Sequence, residues 1–313
     1  LAAYDPALPL VIDPTIDFAS YLGTGGDEEV LWAETRGRSV YVSGRTWQST
    51  AFPKVPALTG DDYVAPHCFI SKFTPDGSDL AWSVVFDWTG TLAHECGPFA
   101  LGPNQTIHAA LRFFETGSRW GVSVFTEPDP GASIWQGSNF AVPELQPDQP
   151  VRIQVDNAGN TYLAGSCSAG AYRAGNIVLP NGERTVAHLT DCSSSSQYGN
   201  PATYESLLLK IGPSGNRLYG TFIGGTPFRA VYDRKPDTVR SLAVDPVTEE
   251  AWVGGQAQSA DLPGTWAGGL IDVSLHPPVY PSCGQSTTST QCMPQAFVNR
   301  IDTTLASYHS VTY

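Results

Sequence analysis

The stretch that decides the fold is VRIQVDNAGNTYLAG, residues 151–165, in which two apolar runs flank the polar turn sequence DNAGN at 156–160. Gly and Asn accept a positive φ at little steric cost, so this turn favours a tight hairpin between two strands. Three other segments share the pattern of apolar strand, polar turn and second strand, and they are 30–44, 99–111 and 239–255. The sequence therefore predicts one hairpin that recurs four times along the chain.

A second kind of hairpin follows most of these segments. An apolar strand, a turn of Pro, Asp and Gly type, and a strand with Tyr, Trp and Ser occur at 68–86 and 206–225, and a weaker copy occurs at 296–313. Two hairpins give four antiparallel strands, which is the size of one blade of a β-propeller. The fold class we expect is all-β, a propeller of four-stranded antiparallel blades, with about four to five blades in this chain, as a whole propeller or as part of a larger one.

The composition is typical of a fold with many short strands, and it disfavours nucleic-acid binding and membrane insertion. The chain has 313 residues, of which 41% are hydrophobic and only 15% charged, with 31 Gly and 25 Pro. Its formal net charge of -13 disfavours binding to a nucleic-acid backbone, because like charges would be brought together. No apolar run approaches the roughly 20 residues of a membrane helix, so we expect no membrane insertion.

Six cysteines form an even set, and they are Cys68, Cys96, Cys167, Cys192, Cys283 and Cys292. None belongs to a Cys-x-x-Cys pair or lies beside a His at zinc-ligand spacing, which favours a disulfide framework over a metal site. Sequential pairing, one of about fifteen possibilities, would join the first to the second, the third to the fourth and the fifth to the sixth. Disulfides predict an extracellular or cell-surface protein that has been secreted.

A repeated strand ending also points to a family. Residues 18–23 read FASYLG and residues 221–225 read TFIGG. Together with the turn at 156–160, they resemble the bacterial SBBP family of β-propeller repeats, in which a blade has a D-x-x-G-N type turn and a later TYLGG strand. The resemblance is good over 4–52 and 151–260 and poor over 112–150. It implies the propeller fold and little about function.

The same resemblance divides the chain. Residues 1–16 look like a linker or the end of an upstream domain, and residues 17–313 look like propeller repeats with long disulfide-stapled loops at 168–203 and 256–294. The sequence pattern of the fourth strand of a blade occurs at 17–23 and again at 305–313. This leaves one strand too many for a closed ring of four blades. The chain is then a segment of a larger propeller, or one blade is too divergent to recognise, or the surplus strand adds to the sheet of another subunit.

No catalytic signature occurs in the sequence. Gly-x-Ser-x-Gly, His-Glu-x-x-His, a phosphate-binding loop and a dinucleotide-binding loop are all absent. His67 and His108 could approach a central channel, and the adjacent pair His94 and Glu95 could serve acid/base or metal chemistry. Structural roles for the two single histidines and a solvated loop for the pair fit the sequence better. We therefore predict no catalytic residue, metal site or cofactor.

Aromatic side chains are the most promising binding groups, because their faces stack on sugars and anchor protein interfaces. Trp32, Trp82 and Trp252 lie in apolar strands, which predicts packing between blades. The candidates for exposed contacts are Trp47, Trp88, Trp120, Trp135 and Trp266. The function we expect is a structural or adhesion module that binds a protein or glycan at its loop face, and the alternative is a propeller-fold lyase or glycosidase.

Overall fold

The computed structural model describes residues 19–23, 25–47, 51–53, 67–86, 93–113, 119–127, 137–145, 151–166, 206–223, 238–257, 295–302 and 308–312. These residues are all-β and contain sixteen strands, with no helix among them. Consequently no helix in this part of the protein is long and apolar enough to cross a membrane.

The strands form four separate sheets, each of four antiparallel strands that follow one another in chain order. The first sheet contains β1 (Glu28–Arg36), β2 (Ser39–Thr46), β3 (His67–Phe73) and β4 (Leu80–Phe86). The second sheet contains β5 (Ala93–Leu101), β6 (Thr106–Phe113), β7 (Arg119–Thr126) and β8 (Gly137–Val142). The third sheet contains β9 (Arg152–Val155), β10 (Thr161–Ser166), β11 (Ser206–Ile211) and β12 (Arg217–Ile223). The fourth sheet contains β13 (Thr238–Val244), β14 (Ala251–Ala257), β15 (Gln295–Ile301) and β16 (Tyr308–Thr312). The predicted recurrence of two hairpins per unit is confirmed.

The turn between β9 and β10 shows why the deciding stretch folds as a hairpin. Asp156 accepts hydrogen bonds at Oδ1 from the backbone N–H groups of Ala158, at 3.0 Å, and Asn160, at 2.8 Å. Gly159 has a φ of 82°, in the left-handed region that glycine adopts without strain. The turn therefore satisfies its own backbone donors and sets Val155 opposite Thr161 in the ladder.

Apolar cores fill the spaces between consecutive sheets. β5 lies beside β1, β9 beside β5, and β13 beside β9, so the first strands of successive sheets are neighbours. The second and third sheets each lie between two neighbouring sheets, so both of their faces are covered. Side chains that alternate along a strand point to these two faces in turn. Representative core residues at the three successive junctions are Ile70 and Phe99, Val122 and Leu209, and Leu208 and Phe297.

A disulfide joins the first two sheets. Cys68 on β3 and Cys96 on β5 form this bond, with their Cα atoms 5.4 Å apart. It is the first of the three sequential pairs expected from the sequence. The other four cysteines, Cys167, Cys192, Cys283 and Cys292, lie outside the described residues.

Several predicted boundaries differ from expectation or lie beyond the described residues. Residues 19–23 belong to no strand, so the expected fourth-strand copy at 17–23 is wrong over its described part, and β4 fills the fourth position of the first sheet. The second sheet obtains its outer hairpin from β7 and β8, within the stretch where the resemblance was poor. The predicted loop at 256–294 starts too early, because β14 continues to Ala257. The predicted boundary at residue 16 and the loop at 168–203 fall outside the described ranges.

Candidate functional site

A buried carboxylate connects the first and second sheets. Glu127 directly follows β7, and its Oε2 accepts hydrogen bonds from Lys72 Nζ at 2.6 Å and from Trp82 Nε1 at 3.4 Å. Its Oε1 accepts from the Tyr41 hydroxyl and from Arg36 Nη1, the latter at 3.4 Å. One residue of the second sheet thus contacts all four strands of the first.

The electrostatics of this cluster favour the charged carboxylate. Burial acts to raise the pKa of Glu127, but the hydrogen bonds from Lys72 and Tyr41 outweigh burial and hold that pKa below its ordinary value. Burial acts to lower the pKa of Lys72, and the contacts with Glu127 and Tyr41 raise it above its ordinary value. Both groups are therefore ionised at neutral pH, and each compensates the buried charge of the other.

A neutral histidine and an ion pair connect the second and third sheets. His108 on β6 is 1% exposed, and its Nδ1 lies 2.7 Å from Thr161 Oγ1 on β10. Burial lowers the pKa of His108 to about 4, against the opposing effect of the Asp156 carboxylate. At the same junction between sheets, Arg217 donates from Nε and Nη2 to the two carboxylate oxygens of Glu144, each at 2.8 Å. This bidentate geometry is the strong form of an Arg–carboxylate contact.

A lysine within an apolar strand connects the third and fourth sheets. Lys210 Nζ lies 3.4 Å from Asp156 Oδ2 and 3.2 Å from Oε2 of Glu249, which belongs to the turn between β13 and β14. The same ammonium is 5.1 Å from the centre of the Tyr162 ring, and the Tyr162 hydroxyl donates to the Glu249 carbonyl at 3.2 Å. Burial is the main cause that raises the pKa of Tyr162, so its hydroxyl remains protonated.

The three junctions share one chemical character. Their carboxylates, cations and hydroxyls contact side chains or backbone of the adjacent sheet, and the most central groups are closed to solvent, as with the Asp156 side chain at 0% exposure and that of Lys210 at 6%. His108 is neutral at pH 7, because its pKa lies far below neutrality, and its two ring nitrogens lie beside the hydroxyls of Thr161 and Thr106. These arrangements stabilise the packing of the sheets.

Of the two predicted surface aromatics that the structure describes, Trp47 is the exposed one. It lies just after β2 with 39% exposure, and its backbone N–H donates to the Asp27 carbonyl at 3.1 Å. The Arg45 guanidinium lies 5.8 Å from the centre of the indole ring, and Arg45 Nε is 2.9 Å from Glu29 Oε2. An exposed indole with an ordered cation and carboxylate beside it can stack on a ring and exchange hydrogen bonds with hydroxyl groups.

Trp120 was wrongly placed among the exposed candidates. It is 3% exposed on β7 and belongs to the core between the second and third sheets, together with Val122 and Val142. Side chains two positions apart point to the same face of a strand, so Trp120 lies on the same covered face as Val122. The remaining candidates, Trp88, Trp135 and Trp266, lie outside the described residues.

The histidines and strand tryptophans have the following positions. His67 begins β3 and is buried at 8% exposure, and nothing is described of the His94 side chain. Trp82, at 5% exposure, packs between the first and second sheets as predicted, whereas Trp252 is half-buried on the outer face of the fourth sheet.

Sequence reasoning missed the residues that join the sheets. The signal that could have found them is a lone lysine near the end of an otherwise apolar strand, as Lys72 in CFISKF and Lys210 in SLLLKI. A lysine in such a strand needs a carboxylate partner, because an unpaired buried charge is costly.

The chain was also compared with known proteins. It matches no family model and no curated protein. The likeness to SBBP repeats therefore depends on the repeated turns and strands alone.

Proposed function

We propose that this protein is an extracellular or cell-surface structural module that binds a protein or a glycan. The observation that carries the proposal is that the buried charged side chains join neighbouring sheets. Glu127, Glu144 and Lys210 each form an ion pair with a residue of an adjacent sheet. Groups that are committed to packing in this way favour a rigid support over a reactive centre.

A radial, propeller-type arrangement of the sheets is part of this proposal. Its support is that four successive sheets of four strands pack face to face in chain order, with their first strands side by side. First strands that meet in this way are expected near the axis of a propeller, and fourth strands at its rim. The TYLGG-like endings and D-x-x-G-N turn of SBBP repeats support the same arrangement.

The extracellular location is supported by the bond between Cys68 and Cys96. Such bonds form and persist in oxidising compartments and are rare in a reducing cytosol. The acidic charge of -13 gives solubility and leaves neutral glycans and basic protein surfaces as suitable partners.

Trp47 is the contact residue that we propose for a sugar ring. Its exposed indole provides a stacking face, Glu29 can accept a hydrogen bond from a sugar hydroxyl, and Arg45 holds the Glu29 carboxylate in place. Stacking of this kind contributes on the order of 1 kcal/mol beyond the apolar area that it buries.

A glycan array probed with the intact chain tests the proposal. We expect a retained glycan, a loss of at least half of the bound signal for Trp47→Ala, and no loss for Tyr21→Ala, the control at a second exposed aromatic (103% exposed). A reducing-sugar assay on the retained glycans separates binding from turnover. Release of sugar would favour the lyase or glycosidase alternative, and equal binding by the Trp47 variant would contradict the assignment of this residue.

A further inference from the structure

A set of four residue types recurs on one face of three sheets. In the first sheet, Tyr41 lies opposite Lys72 and Ser43 opposite Ile70. In the third sheet, the equivalent pairs are Tyr162 with Lys210 and Ala164 with Leu208. In the fourth sheet, they are Trp252 with Arg300 and Gly254 with Val298. We call each set a quartet, and it comprises an aromatic residue, a cation, a small residue and an aliphatic residue.

Two of the quartets are covered by the sheet that follows in the chain. Ile70 is 2% exposed beneath the second sheet, and Leu208 is 0% exposed beneath the fourth. In both cases the covering sheet also supplies a carboxylate to the cation, from Glu127 for Lys72 and from Glu249 for Lys210. A quartet is therefore a face on which another sheet packs.

The quartet of the fourth sheet is complete and open. Arg300 is stacked on Trp252 at 5.7 Å from the ring centre, as Lys72 and Lys210 are on their tyrosines at 5.1 Å. Val298, at the position of Ile70 and Leu208, is 49% exposed. Ala296 and Gln256 on the same face are exposed as well. A large aliphatic side chain at this position loses the burial that stabilises it in the other two sheets.

We propose that this face binds the same face of a second copy of the chain and forms a two-fold symmetric dimer. The charges of the face are self-complementary. The Arg300 and Glu250 side chains are 37% and 21% exposed, and Arg300 Nε lies 3.9 Å from Glu250 Oε1, beyond hydrogen-bond distance. A two-fold axis beside Arg300 and Glu250 places each Arg300 against the Glu250 of the other copy. This contact repeats the pairing of a cation with a carboxylate at the other junctions.

A head-to-tail contact with the first sheet of another copy is less suitable. In such a contact, the face of the first sheet that contains Phe69 and Val85 would have to cover the quartet of the fourth sheet. Phe52 already covers that face, and Leu22 packs against it. The face of the fourth sheet can meet its own copy without displacing any described residue. An isologous contact also closes at two copies and leaves no exposed face for further growth.

Sedimentation velocity with paired charge reversals tests this dimer. The wild-type chain is expected to dimerise as its concentration rises, and Val298→Asp is expected to weaken the dimer by on the order of tenfold or more. Val30→Asp is the matched control, since Val30 on the first sheet is 51% exposed, close to the 49% of Val298, and it should leave the dimer unchanged. Arg300→Glu and Glu250→Arg should each be monomeric alone, because each places like charges together across the axis.

Mixing the two charge-reversal variants gives the decisive result. One copy then carries two arginines and the other two glutamates, so both contacts across the axis pair opposite charges and a heterodimer should form. A wild-type chain that stays monomeric at all concentrations overturns the proposal, as does a dimer that survives Val298→Asp and both single reversals. A monomer whose Val298→Cys thiol resists maleimide would show that the protein's own chain covers the face, and this result also overturns it.

Discussion

Glu127 combines polar contacts with four side chains of the first sheet in one residue. We expect Glu127→Gln to lower the free energy of unfolding by roughly 3 kcal/mol, because Lys72 and Arg36 would lose the charge that compensates theirs. Urea unfolding followed by tryptophan fluorescence measures this change. The matched control is Glu29→Gln, at the exposed pair with Arg45, where the loss should stay under about 1 kcal/mol. Equal losses in the two variants would contradict the structural role of Glu127.

His108 gives the protein a pH dependence of defined sign. Burial lowers its pKa from 6.5 to about 4, so the unfolded chain binds a proton more readily than the folded one. Its contribution to stability is therefore complete above pH 6.5 and is lost as the pH falls towards 4, by about 2 kcal/mol between pH 7 and pH 5.

The variant His108→Asn isolates this effect from that of the carboxylates. Asparagine offers Thr161 a hydrogen-bonding group near the position of Nδ1 but does not titrate. Urea unfolding of both proteins at pH 7, 6 and 5 should show their difference in stability changing by that amount. A constant difference across the three pH values would mean that His108 is not held neutral.

At the scale of single elements, the hairpin turns depend on backbone conformation more than on space. A Cβ at Gly159 would meet Pro103 and Pro213 only at 3.7 Å, an ordinary contact, yet the φ of 82° is unfavourable for alanine. We expect Gly159→Ala to destabilise the protein by about 1 kcal/mol or more, and Gly25→Ala, which meets nothing within 4 Å, to change stability much less. Thermal unfolding of the two variants measures the difference, and similar melting temperatures would contradict the argument.

The elements were predictable because their signals are local. The turn at 156–160 and the apolar runs beside it lie within fifteen residues of one another, and the resulting hairpin needs no distant partner. It was harder to predict which face of a strand packs against which neighbouring sheet, as Trp120 shows. β11 reads SLLLKI with every residue buried, and neighbours such as Leu208 and Leu209 belong to different cores. Where both faces of a strand are covered, a run of apolar residues does not indicate which face meets which sheet.

At the scale of the whole molecule, the sheets are joined by contacts between residues far apart in sequence. Glu127 and Lys72 are separated by 55 positions, and Arg217 and Glu144 by 73. Pairings at such distances follow from the packing order of the sheets, which the sequence pattern does not specify. The recurrence of lysine at one position in β3 and β11 was visible in the sequence, but its carboxylate partners became evident only once the sheets were assembled.

The bond between Cys68 and Cys96 has a mechanical consequence. These residues are 28 positions apart, so a force pulling on the two ends of the chain passes through the sulfur atoms and bypasses the segment between them. At about 3.5 Å per extended residue, this withholds roughly 100 Å of contour length from stretching. A module exposed to shear at a surface would thus keep β4 out of the line of tension even after its first sheet had yielded.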